Sequence, residues 1–135
     1  MKKIKSWYFG LKYKENSENK YIIEEMNTIL GNIGIKMFCV ERDLEKYGNI
    51  KCSENELMKY TFEKIDESDT MLIDVSEKGI GLGIECGYGY AKKKRIIVIH
   101  KKGTELSTTI KGISSIILEY KKIKDVAEAI KNEHI

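Results

Sequence analysis

The sequence predicts an α/β fold, a three-layer sandwich in which a five-stranded parallel sheet lies between two layers of helices. Three observations lead there. Apolar runs of strand length alternate with helical stripes along the whole chain. Residues 70–75 and 95–99 are nearly continuous apolar runs, as expected of strands covered on both faces. Five glycines (Gly79, Gly81, Gly83, Gly87 and Gly89) fall within eleven residues directly after the first of these runs. Glycine is costly in regular structure, so that density marks close backbone approach at a turn from strand to helix.

The elements follow in order. A first strand spans residues 5–9 and ends at Gly10. Residues 19–30 carry apolar side chains at 22, 23, 26, 29 and 30, a helical stripe closed by Gly31 and Gly34. Residues 35–40 make a second strand, and the polar stretch 42–52, with Gly48 and Asn49, a loop. Ser53 with Glu56 three residues later is a capping box, opening a helix to about residue 67 whose inner positions are 57, 58, 61, 62 and 65. The third strand is 70–75, followed by the glycine turn and a helix to Ala91. Residues 95–99 and 116–119 supply the last two strands, and 123–130 the closing helix. Five strands in 135 residues suit a doubly wound, flavodoxin-like (Rossmann-like) sheet. Such sheets bind ligands outside the carboxyl ends of the strands, near the topological switch point. Gly10, Ser76 and the glycine turn all fall at such ends.

Composition narrows the class. A chain of 135 residues fits one domain, 1–135, with no proline, low-complexity run or repeat to mark a linker. No apolar run approaches the ~20 residues of a membrane span. The basic N-terminus is not followed by an apolar segment, so no signal peptide is read and a cytoplasmic location is expected. Cys39, Cys52 and Cys86 are odd in number and lack metal-ligand spacing, which points to packed, reduced thiols. His100 and His134 offer no pair for a zinc site, and His134 lies in a tail expected to fray. No metal and no cofactor are expected. Residues 1–91 hold 13 basic and 16 acidic side chains, whereas 92–135 hold 11 and 5. The basic cluster at residues 92–95 sits at one helix-to-strand junction, where the helix dipole favours cations, so a nucleic-acid polymer is not expected as a partner.

The glycine turn does not match the dinucleotide fingerprint: Gly79 and Gly81 leave Ile84 at the third position, and Gly81 and Gly83 leave Cys86. It also lacks the lysine and hydroxyl ending of a P-loop. Gly83, Gly87 and Ala91 recur every fourth residue, a small-residue stripe expected to press the helix onto the sheet. Glu85 points away from that stripe near the positive end of the helix, where the dipole favours the ionised form. An ionised carboxylate beside a sugar can attack the anomeric carbon as a covalent nucleophile. On spacing alone an exposed glutamate in the first turns of a helix remains the other reading.

The chain resembles the nucleoside 2-deoxyribosyltransferase family, and within it the smaller branch that includes 2′-deoxynucleoside 5′-monophosphate N-glycosidases. The resemblance rests on Trp7-Tyr8-Phe9-Gly10 and on the run from Ser68 through Asp74 to Ser76. Its centre is the Gly-x-Gly-x-Glu-x-Gly block, Gly81 to Gly87, followed by Lys94-Arg95-Ile96-Ile97-Val98-Ile99, and it extends to Leu106-Ser107-Thr108-Thr109. It implies that Glu85 is the nucleophile forming a glycosyl-enzyme intermediate. It also implies that Tyr8 and Gly10 line the sugar pocket, and that Ser76 and the amides near Gly79 and Gly81 face the sugar or its 5′ substituent. Ser107 would serve a neighbouring subunit's site, in a homodimer or larger assembly. Each residue also has a plainer reading: Tyr8 a strand-end aromatic, Ser76 a turn residue, Ser107 a helix cap. Two positions depart from the family. Thr61 stands 24 residues before Glu85, where the family carries an acid that helps protonate the leaving base, and Glu63 or Asp66 would point elsewhere. Asp69 is present just before the third strand, where it can equally be that acid or a structural residue. Gly79 stands where the monophosphate-cleaving branch carries a serine.

The expected function is cleavage of the N-glycosidic bond of a (deoxy)nucleoside or nucleotide, with transfer to water or to another base. The alternative is a nucleotide-binding sensor or defence-associated protein of the same fold with weakened turnover. Cleavage of a larger nucleotide such as NAD is a third option.

Overall fold

The computed structural model describes residues 5–132; residues 1–4 and His134 lie outside the described residues. Five strands form one parallel sheet: β1 (Lys5–Leu11), β2 (Ile35–Phe38), β3 (Thr70–Asp74), β4 (Arg95–Lys101) and β5 (Ile116–Tyr120). Their spatial order is β2-β1-β3-β4-β5, so the order reverses between β1 and β3. This is the flavodoxin-like α/β arrangement. Among the described residues five α-helices connect the strands, α1 (Lys20–Asn32), α2 (Val40–Asp43), α3 (Glu54–Glu67), α4 (Ile80–Ala91) and α5 (Thr108–Ile113), and α6 (Ile123–Asn132) follows β5.

The alternation of side chains along β1 builds both layers. Trp7 and Phe9 face one side, where they pack with Leu72, Ile97 and Ile99 against Ile23, Met26 and Leu30 of α1 and Val126 and Ile130 of α6. Tyr8 faces the other side, among Met71, Ile73, Ile96 and Val98, beneath Ile65 of α3 and Leu82 and Cys86 of α4. A strand sandwiched in this way is apolar on both faces, and every residue of β3 is buried.

Several elements extend beyond their expected bounds. β1 continues through Gly10 to Leu11, and α1 through Gly31 to Asn32. β2 stops at Phe38, and Val40 and Glu41 begin the short α2 instead. Ser53 caps α3 by accepting the Glu56 amide at 3.2 Å. The expected small-residue stripe on α4 is corrected: Gly83, Gly87 and Ala91 face solvent, and the packed face is Leu82, Cys86 and Gly89. Cβ is excluded at Gly89 because it would overlap the Met71 sulfur. Close packing therefore uses one glycine of the turn, set two residues from the stripe that spacing suggested.

Candidate active site

The reversal of strand order opens a crevice between the carboxyl ends of β1 and β3, as doubly wound sheets do. A cavity of about 340 Å³ occupies it, lined by Tyr8, Gly10, Lys12, Thr61, Gly79, Gly81 and Glu85, together with Glu41 and Glu45 from the β2 side and apolar Leu57 and Met58 from α3. Tyr8 reaches this cavity because the pleat turns it away from Trp7 and Phe9. Gly10, two residues on, must be small: a Cβ there would lie 2.9 Å from Ile73 Cδ1 and 3.2 Å from Tyr8 Cε1. Gly81 and Glu85 are one helical turn apart on α4, so both look into the cavity.

Tyr8 donates its phenolic hydrogen to Glu85 Oε1. Burial, then the charge of Glu85, holds the phenol well above its ordinary range, which keeps it a donor. Glu85 Oε2 lies 4.0 Å from the place a Cβ on Gly81 would occupy. One carboxylate oxygen is thus anchored by the tyrosine, and the other faces a glycine. Burial pushes the Glu85 carboxyl up to about 7, against the hydrogen bond from Tyr8, which lowers it. From sequence, the helix dipole favours the ionised form; burial is the largest influence on the carboxyl and acts in the opposite direction. A poorly solvated carboxylate is suited, in its ionised form, to attack an electrophilic carbon.

The remaining predicted residues are distributed around this cavity. Ser76 lines an adjoining cavity of about 300 Å³ on the α1 side of the sheet, which shares Leu11 and Lys12 with the first. Its hydroxyl donates to Asp74 Oδ1 at 2.6 Å and accepts the Lys101 amide at 2.9 Å, while Tyr120 donates to Asp74 Oδ2 at 2.5 Å. Ser107 lines a third cavity, which shares Gly79 and Leu82 with the first, and it caps α5 by accepting the Ile110 amide at 3.2 Å. Gly79 therefore borders both the first and third cavities.

Thr61 lines the first cavity, but its hydroxyl is donated to the Leu57 carbonyl at 2.8 Å. Neither acid considered in its place lines that cavity: Glu63 is exposed, and Asp66 accepts from Tyr88 and pairs with Lys92 at 3.9 Å. Asp69 binds the Ser6 amide and the Thr70 hydroxyl at the opposite rim, a structural role. Of the basic cluster, Lys94 bonds the Asp66 carbonyl and Arg95 bonds the Thr70 hydroxyl. Cys39 and Cys86 are buried and unpaired, and burial pushes both thiols up to about 12. Among the described residues no three His, Cys, Asp or Glu side chains come together as a metal site. Sequence reasoning missed Glu41. The second strand was expected to run to Val40 and the polar loop to begin at Arg42, which left Glu41 between them with no assigned place.

No family model and no curated protein sequence matches the chain. Solved structures do. The CMP N-glycosidase BcmB of Clostridium botulinum superimposes with a TM-score of 0.67 at 20% identity, covering 93% of this chain and 98% of that one. A 2-deoxyribosyltransferase from Bacillus psychrosaccharolyticus gives 0.67 at 15% identity, covering 90% of each chain. The solution structure of BlsM gives 0.68 at 17% identity, over 93% of this chain and 85% of that one. At such identities the shared property is the fold: this chain has the fold of a CMP N-glycosidase and of a 2-deoxyribosyltransferase, over nearly its full length.

Proposed function

We propose that the protein cleaves the N-glycosidic bond of a nucleoside or nucleotide, with a 2′-deoxy sugar as the leading candidate, and that Glu85 is the nucleophile. The observation that carries this reading is the Tyr8–Glu85 pair at the strand switch point, one carboxylate oxygen held and the other open to the cavity. Glu85 Oε2 attacks C1′, the bond to the base breaks, and a glycosyl ester forms. Water then yields the free sugar, or a second base yields a new nucleoside. Tyr8 and Gly10 bound the sugar, and the Gly79 and Gly81 segment lies beside it. Ser76 and Lys12, on the adjoining cavity, serve the 5′ substituent. The activities named for the BcmB and Bacillus psychrosaccharolyticus structures support this reaction class. The sequence resemblance supports it independently.

The test is chromatographic detection of free base from nucleosides, their 5′-monophosphates and NAD, with adenine added as an acceptor. Base release by the parent and a loss of at least about 10³-fold in Glu85→Gln are expected, with a glycosyl adduct on Glu85 in the intact-protein mass. Release that survives Glu85→Gln would assign the chemistry to another group. A nucleotide-binding sensor is the second reading, favoured by Thr61, whose committed hydroxyl cannot supply the proton a leaving base needs. Tight nucleotide binding without any base release would establish it.

A further inference from the structure

Glu41 is only 6% exposed and lines the same cavity as Glu85; the Lys14 amide and the Asn19 side chain lie close enough to favour its charge, yet neither carboxyl oxygen has a protein partner at full hydrogen-bond geometry. A buried polar group without a partner is unfavourable unless water, an ion or a ligand completes it. The placement of Glu41 follows from topology. It lies in α2, directly after β2, on the opposite side of β1 from β3 and α4. A ligand whose sugar meets Glu85 therefore crosses the end of β1 and carries its base toward Glu41 and the apolar wall of Leu57 and Met58.

Departure of a base from C1′ is slow unless the base is protonated, and Thr61 does not supply that proton. Burial raises the Glu41 carboxyl above its ordinary value, opposed by the nearby Lys14 amide and Asn19 side chain and reinforced by the charge of Glu45. It therefore holds a proton more tightly than a hydrated glutamate.

We propose that Glu41 reads and protonates the leaving base. Its carboxyl donates to an unprotonated ring nitrogen and accepts from the adjacent exocyclic amine. The substrate base thus carries an amidine edge, as cytosine and adenine do, whereas uracil, thymine and hypoxanthine present N–H beside a carbonyl. This assignment rests on the glycosidic reading above. As Glu85 Oε2 bonds to C1′, the electron pair of the C1′–N bond passes to the base, and the base takes the Glu41 proton and leaves neutral. Water then attacks C1′ of the glycosyl ester and returns one proton to Glu41 and the carboxylate to Glu85.

The test compares 2′-deoxycytidine, 2′-deoxyadenosine and 2′-deoxyuridine 5′-monophosphates with the p-nitrophenyl glycoside of the same sugar phosphate, whose phenolate leaves without protonation. The parent should release cytosine or adenine at least tenfold faster than uracil. Glu41→Gln keeps the shape of the side chain, and its amide can still donate and accept on the same edge. KM should therefore change by less than about threefold, whereas kcat for base release should fall about 10²–10⁴-fold. Release of p-nitrophenolate should fall far less, which also reports that the variant is folded, and Glu85→Gln should abolish both. Equal release of uracil and cytosine, or equal slowing of both leaving groups by Glu41→Gln, would overturn the role of Glu41 and leave that of Glu85 standing. If no substrate loses its leaving group, the glycosidic reading fails and binding decides the rest. A tenfold loss of deoxycytidine monophosphate affinity in Glu41→Ala, with deoxyuridine monophosphate affinity unchanged, would sustain base reading, and an equal effect on both would remove it.

Discussion

Tyr8 performs two tasks at once: it fills the space under α4 and donates to the carboxylate that would react. Because that hydrogen bond lowers the Glu85 pKa against burial, its loss should raise it. The ionised carboxylate is the nucleophilic form, so the acid limb of the pH–rate profile should lie at about 7, the position burial sets for Glu85, and ionisation of the proposed acid Glu41 should oppose that rise. In Tyr8→Phe that rise should move to higher pH, and the rate at neutral pH should fall about tenfold or more, the scale of one hydrogen bond to a charged group. A pH–rate profile for both proteins checks this. An unmoved acid limb would mean that the tyrosine packs without tuning. Gly10 is tied to the same effect, since a side chain there would displace the Tyr8 ring.

Two helical glycines, Gly89 in α4 and Gly31 in α1, have opposite physical character. Gly89 sits against the Met71 sulfur, so Gly89→Ala should destabilise by about 1–3 kcal/mol through overpacking. Gly31, exposed inside α1 with open space around it, gives the contrasting result: Gly31→Ala should stabilise by about 0.5–1 kcal/mol. Denaturant midpoints of the two variants measure both signs, and equal effects would refute the packing assignment. β3 and β4 were legible because strands buried on both faces read as apolar runs, whereas the edge strands β2 and β5, half exposed, showed as short apolar segments between turn and helix signals. The short α2 and α5 were not legible, since four and six residues give too little periodicity to register. Ser107 was weighed as a cap from sequence, and it is one. Glu85 stood out by its glycine neighbours, but its bond to Tyr8 joins residues 77 apart, which no local pattern reveals. Glu41 was illegible for a different reason. The burial of an acid depends on which elements close over it, and polar sequence gives no sign of that.

At the scale of the whole molecule, the outward face of α4 is apolar and uncovered by any of the described residues. Ile80 is 86% exposed, Tyr90 59% and Ile84 50%, beside Gly83 and Gly87, whose lack of side chains permits close approach. Ser107 lines the cavity next to this face. A homodimer packed there would cover these side chains and bring Ser107 of the partner subunit toward the Gly79 turn. Sedimentation at micromolar concentration should therefore show a dimer, and Ile84→Lys a monomer with reduced base release. A parent protein that is monomeric while fully active would exclude a shared site. The Tyr8–Glu85 link also bears on the life of the chain before it is finished. β1 leaves the ribosome first, and α4 follows much later, so an emerging chain carries Glu85 as an ordinary hydrated glutamate with a pKa near 4.5. Only when β1 has docked beside β3 and α4 has closed over Tyr8 does the carboxylate acquire its raised pKa and its anchor. The raised pKa and the tyrosine anchor thus arrive together, and a half-made or misfolded copy carries an ordinary glutamate in that position.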